Sequence, residues 1–191
     1  MDGFIAKLPT NSYVVIDEAY HHFATTSPDY TSFLDRPADN PRVVVARTFS
    51  KIYGMAGMRL GYGVSAVETT QRLRRFQTQD NVNMVAAQAS VAALQDTAEM
   101  QSATRRNAAD RQQFFSQAAQ RGLKVIPSFA NFAMLDAARP AAQVSSYFKQ
   151  KGILVGRRFP LMDNFVRVSF GRPNEMQQFW RVWDEMGSNR Q

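Results

Sequence analysis

Two spacings of apolar residues divide this chain. Up to about residue 65, short β-branched runs stand between Pro, Asn, Asp and Gly. Tyr13–Ile16, Arg42–Ala46 and Leu60–Val64 each read as a strand, with Val14 to Ile16 expected to be buried. A helix is predicted over about Val67–Phe76. Helical spacing then holds from roughly Val85 through Gln120, with a break near Asp96, where Asp96-x-x-Glu99 has the form of a capping box, and a stop at Gly122. Strands follow at Leu123–Ile126 and Phe132–Leu135, then a helix over Ala141–Lys151 stopped by Gly152. Further strands at Ile153–Val155 and Phe165–Phe170 precede a closing amphipathic helix over Glu175–Met186. The order predicts an α/β chain, in which part of a mostly parallel sheet is followed by a small α+β domain. Residues 1–83 and 121–191 are expected to be the two domains, with 84–120 as a helical bridge. The chain carries no internal repeat, low-complexity tract or long linker.

Composition narrows the class. The 191 residues are 45% hydrophobic, enough for a real core. No run approaches the ~20 apolar residues of a membrane span, and the N-terminus lacks the charged and apolar regions of a signal peptide. Without cysteine there are neither disulfides nor thiolate metal sites, which accords with a cytoplasmic location. His21 and His22 are adjacent and would point apart on a strand, so they are read as loop residues near the site and no metal is expected. The net charge is +7, and Arg72, Arg74, Arg75, Arg105, Arg106 and Arg111 raise the question of nucleic acid. They fall on helical segments among Gln and Asp, where a solvated face explains them, and no helix-turn-helix or zinc finger supports DNA reading. The excess charge would also attract an anionic cofactor or substrate, without specifying one.

One run carries chemistry: Arg47-Thr48-Phe49-Ser50-Lys51, followed by Gly54, Gly57, Arg59, Gly61 and Gly63. An apolar strand, Val43 to Ala46, delivers two hydroxyls and a lysine into a glycine-punctuated loop. A lysine amine made neutral by desolvation and nearby positive charge condenses with an aldehyde. Ser50 can donate to a phosphate, and Arg59 can hold one through its planar fork. Amine, hydroxyl and guanidinium together fit an aldehyde-bearing phosphate ester, with pyridoxal 5'-phosphate as the obvious candidate. Upstream, Val14-Val15-Ile16-Asp17-Glu18-Ala19-Tyr20 sets Asp17 at the C-terminal end of a strand, where ligands of open α/β sheets gather. A carboxylate there can keep a pyridine nitrogen protonated, and Tyr20 can donate to a ring oxygen. Asp17 and Glu18 could instead cap a helix or bind metal as in nucleotide hydrolases, but no glycine-rich loop with Gly-Lys-Ser/Thr accompanies them. On the strand at Phe165–Phe170, Arg167 and Ser169 fall opposite Val166, Val168 and Phe170.

The Val-Ile-Asp-Glu-Ala-Tyr and Arg-Thr-Phe-Ser-Lys motifs, with Gly-Met-Arg-Leu-Gly-Tyr-Gly after them, resemble the fold-type I pyridoxal phosphate-dependent aminotransferases. The histidinol-phosphate aminotransferase-like branch is the nearest in pattern. The resemblance implies Lys51 as the lysine that condenses with the cofactor, Asp17 as partner of the pyridine nitrogen and Tyr20 as donor to the ring oxygen. It implies Ser50 and Arg59, assisted by Thr48, as phosphate ligands, and Arg167 as the arginine that grips the substrate carboxylate. The implied reaction moves an amino group between an amino acid or amino-alcohol phosphate and a 2-oxo acid.

The resembling family's chain starts well before the Asp17 strand, with a phosphate-capping loop, a ring-stacking aromatic and an asparagine in an Asn-Pro setting. Asn11 and Pro9 do not form that motif, so this chain is expected to correspond to the family's C-terminal half. Sheet edges and faces would then lie open, and self-association, as in the family's dimers, or binding of a complementing N-terminal fragment is expected. Two other readings stand beside the enzyme: a sensory aminotransferase-like domain of a regulator, and a non-catalytic fragment that keeps the lysine without retaining the cofactor.

Overall fold

The structure, a computed structural model, describes residues 1–35 and 38–188. The chain divides into two units, residues 1–103 and 104–191. The first opens with helix α1 (Asp2–Lys7), strand β1 (Val14–Asp17) and a one-turn helix α2 (His21–Ala24). Strand β2 (Val43–Thr48), a 3-10 turn over Ala56–Met58 and strand β3 (Gly61–Ser65) follow, then helices α3 (Val67–Arg74) and α4 (Met84–Gln95). Helix α5 (Thr97–Gln120) runs across the boundary, and the second unit continues with β4 (Val125–Ile126), β5 (Phe132–Asp136), α6 (Ala141–Gln150), β6 (Phe165–Ser169) and α7 (Pro173–Ser188).

In the first unit the sheet order is β1-β2-β3. β1 and β2 run parallel, with Asp17 opposite Ala46, and β3 returns antiparallel to β2 with Gly61 opposite Thr48. An antiparallel edge strand on an otherwise parallel sheet is a common arrangement. Alternation on β2 turns Val43 and Val45 into a small core with Ile5, against which Val14, Ile16, Phe33 and Leu34 pack. The expectation of a buried first strand holds only in part. β1 lies at the sheet's edge, and Val15, on the face away from that core, is 69% exposed.

The helical stretch breaks at Asp96 as its sequence requires. Asp96 accepts from the Glu99 N–H through its carboxylate at 3.0 Å, which caps α5. Asn83 does the same for α4, accepting from the Val85 and Ala86 amides. Gly122 and Gly152 end α5 and α6 in the left-handed conformation, at φ 65° and 79°.

The second unit has the antiparallel sheet β4-β5-β6. Its core holds Phe114 and Ala118 from α5, Leu135 from β5, Val144 and Phe148 from α6, Val166 and Val168 from β6, and Phe179, Trp180 and Trp183 from α7. Pro173 opens α7, and Glu175 reaches back to accept from the Arg172 N–H. One expected strand is absent. Ile153–Val155 forms no ladder; the following residue, Gly156, donates one backbone bond to the Arg167 carbonyl at 2.8 Å, and Leu154 points into solvent. β-Branched residues supplied the pattern there, but the chain past Gly152 meets β6 at a single point.

Candidate functional site

The parallel pair β1-β2 ends at Asp17 and Thr48, and the residues singled out in the first unit lie at or just beyond that edge. Asp17 is exposed at the last position of β1 and accepts from the Ala19 N–H at 2.9 Å. This bond turns the chain sharply toward Tyr20, the half-buried residue that precedes α2. Past β2, Thr48 Oγ1 accepts from the Ser50 N–H at 3.0 Å and lies 3.4 Å from the Leu60 carbonyl. Lys51 follows in a tight turn closed by the Gly54 N–H on its carbonyl, with Gly54 at φ 67°. The Lys51 ammonium stands 5.1 Å from the centroid of the Tyr20 ring, within cation–π range. Arg59, itself left-handed at φ 54°, donates to the Ala56 carbonyl at 2.7 Å and lies 3.4 Å from Ser50 Oγ. Two links thus result, one joining Tyr20 to Lys51 and one joining Thr48, Ser50 and Arg59.

Glu18 turns the other way from Asp17. It is 6% exposed and accepts from Arg47 Nη2 at 2.8 Å and Nε at 3.1 Å. The Ser32 hydroxyl at 2.8 Å and the Phe33 N–H at 2.6 Å complete its shell. Burial pushes its carboxyl up, but hydrogen bonds from Phe33, Arg47 and Ser32 outweigh that and hold it below the ordinary carboxylate range. In the sequence Glu18 stands only as a companion of Asp17, Arg47 heads the lysine run without a role of its own, and Ser32 carries no signal. The usable signal was strand alternation, which sends neighbours 17 and 18 to opposite sides.

The histidines correct an expectation. They begin α2 rather than a loop, with ring centroids 4.9 Å apart, and each meets a tyrosine. His21 Nδ1 lies 3.0 Å from the Tyr30 hydroxyl and His22 Nε2 lies 3.2 Å from the Tyr53 hydroxyl. Burial first, then the charges of His21 and Arg47, push the His22 imidazole down to about 4. His21 is also lowered, by burial and Arg47 against the opposing pull of Glu18 and Asp35. Its 4.0 Å approach to Glu18 is therefore not a charge pair at neutral pH. Among the described residues no group of three or more His, Asp or Glu is placed to hold a metal.

Arg167 belongs to the second unit, on β6 opposite Met134. Its guanidinium lies 3.8 Å from the centroid of Phe132, and Gly156 packs on its stem so closely that a Cβ there would come within 2.8 Å of Arg167 Cβ. Stacking and the close glycine hold a half-buried guanidinium in one orientation.

The mixed α/β architecture, with a parallel strand pair whose carboxyl edge carries the lysine loop, is that of the aminotransferase fold. The chain belongs to the aminotransferase class I and II family, whose model matches residues 5–182. Among curated relatives, the histidinol-phosphate aminotransferase of Moorella thermoacetica is 37% identical over 188 residues, 97% of this chain and 48% of that protein. The enzyme of the same name from Symbiobacterium thermophilum is 40% identical over 178 residues, 92% of this chain and 48% of that one. The chain spans about half the length of the curated relatives it matches. Among solved structures, a putative histidinol-phosphate aminotransferase from Erwinia carotovora atroseptica superposes with a TM-score of 0.89 at 29% identity, over 98% of this chain and 54% of that one. The Sinorhizobium meliloti histidinol-phosphate aminotransferase, solved in complex with pyridoxal-5'-phosphate, gives 0.85 at 28% identity, over 96% and 52%.

Proposed function

We propose that this chain carries the cofactor lysine and the substrate arginine of a cytoplasmic pyridoxal phosphate-dependent aminotransferase. Its reaction moves an amino group between an amino acid or amino-alcohol phosphate and a 2-oxo acid. The observation that carries the reading is the seat of Lys51, 5.1 Å above the Tyr20 ring at the carboxyl edge of the β1-β2 pair, with Arg59 and Ser50 3.4 Å apart beside it. The donor set fits the cofactor: an amine for its aldehyde, a phenol for its ring oxygen, and a hydroxyl with a guanidinium for its phosphate. Bound there, pyridoxal phosphate supplies an aldehyde and an electron-accepting ring. Asp17 would keep the ring nitrogen protonated. Thr48 fixes the backbone of Ser50 and so aims its hydroxyl. Lys51 Nζ is the base for the donor's Cα proton, and Arg167 orients the donor carboxylate. A second copy of this chain, or a complementing segment, is part of the same proposal.

Incubation with pyridoxal phosphate, reduction with borohydride and peptide mapping by mass spectrometry test it. A pyridoxyl group on Lys51, lost in Lys51→Ala, is expected; scattered labelling of surface lysines would overturn the site. Turnover of an amino donor with a 2-oxo acid then separates an enzyme from a sensory or non-catalytic domain.

A further inference from the structure

Glu18 is a buried carboxylate on the far side of the backbone from Asp17, and its partners tie three segments together. Its own N–H donates to the Ala46 carbonyl at 2.9 Å, one step past the last β1-β2 pair. Its side chain takes the Arg47 guanidinium side-on, through Nη2 and Nε onto Oε2. Ser32 closes a triangle, donating to both Glu18 oxygens at 2.8 and 3.1 Å while accepting from Arg47 Nη2 at 2.8 Å and from the Leu34 N–H at 3.0 Å. Every polar atom of that hydroxyl is engaged. Asp17 is the residue before Glu18, and Lys51 stands four residues after Arg47.

A charge pair in this position is a poor way to gain stability. Taking both ions out of water carries a desolvation penalty that can cancel their attraction, and well-packed apolar residues often serve as well. What the guanidinium–carboxylate fork adds is direction, because two donors on one acceptor fix distance and angle together.

We propose that Glu18 and Arg47, bridged by Ser32, are a positioning clamp that fixes the end of β1 against the end of β2, and thereby holds Asp17 and the Thr48–Lys51 run in the mutual setting that the cofactor requires. The inference rests on the cofactor reading above. Neither residue touches the cofactor in it; both act through their sequence neighbours. The clamp also sets the 32–35 loop, since the Phe33 N–H is held by Glu18 and the Ser32 N–H by Asp35 Oδ2 at 3.0 Å.

Three variants of the full chain test it: Arg47→Lys, which keeps the charge without the fork; Glu18→Gln, which keeps the shape without the charge; and the double Glu18→Met/Arg47→Met, which replaces the pair by apolar bulk and guards against simple unfolding. Each is followed by urea unfolding, by the rate of pyridoxyl labelling at Lys51, by the pH at which the bound cofactor's absorbance changes, and by cofactor-free amide exchange over residues 48–54. Arg47→Lys and the double variant are expected to unfold cooperatively, yet to label Lys51 about tenfold more slowly or worse, with a displaced absorbance midpoint and faster exchange at 48–54. Folded variants that label at the unmutated rate with the same midpoint would reduce the pair to a structural contact and overturn the clamp alone. Absence of specific Lys51 labelling in the unmutated chain would overturn the cofactor reading and the clamp with it.

Discussion

A proton on His22 would sit in a half-buried ring, packed edge-on against Tyr53 at 5.2 Å between centroids, with His21 adding to the cost. The sign of the consequence follows from linkage. With the folded value at about 4 and the unfolded imidazole near 6.5, the unfolded chain binds more protons between those pH values. Stability is therefore fully present above about pH 6.5 and is lost as pH falls toward 4. Glu18, held below the ordinary carboxylate range, adds a further loss at lower pH still. The urea midpoint should climb from pH 4 to about 6.5 and then level, and His22→Gln should flatten that climb. An unchanged slope in the variant would assign the titration elsewhere. At this scale Lys51, Ser50, Arg59, Asp17 and Tyr20 stand out as candidates because chemistry-bearing side chains fall in a compact pattern. Arg47 and Ser32 were not, since nothing local tells a strand arginine or a loop serine that a buried carboxylate faces it.

Between β2 and β3 the decisive element feature is a missing side chain. A Cβ on Gly61 would lie 2.6 Å from the Arg47 carbonyl, at the end of the ladder that opens toward Lys51, whereas one on Gly57 would meet nothing within 4 Å. Gly61→Ala should therefore cost about 1–3 kcal/mol of unfolding free energy, as overpacking against rigid backbone does. Gly57→Ala should stay within about 0.5 kcal/mol. Equal effects in chemical denaturation would mean that the ladder tolerates the shift. Both glycines read alike in the sequence as loop punctuation. The helix boundaries were more accessible: Asp96 and Gly122 act through bonds to residues a turn away, so their effect is written locally. The Ile153–Val155 segment looked equally clear, and failed because a strand exists only where a partner runs alongside it.

For the whole molecule, exposed apolar side chains carry the expectation. Val15 is open on the first sheet, and α4 presents Met84, Val85, Val91 and Leu94 at 49% exposure or more, alongside Phe76 nearby in sequence. Large apolar exposure of this kind favours association. Light scattering should accordingly give a mass above that of one chain, rising with concentration; a monodisperse monomer would count against a self-associating state. No helix among the described residues is long and apolar enough to cross a membrane. Taken by itself, the amino-acid order determined the family and the strand-then-helix plan and singled out Lys51 as the lysine of the proposed site, because these depend on spacing along the chain and on side-chain chemistry. The tertiary structure alone decided that Lys51 lies over Tyr20, that Glu18 and Arg47 lock together across two strands, and that each histidine finds a tyrosine. Those pairings join residues up to 31 positions apart, and their distances come from how strands pair and loops close rather than from any local pattern.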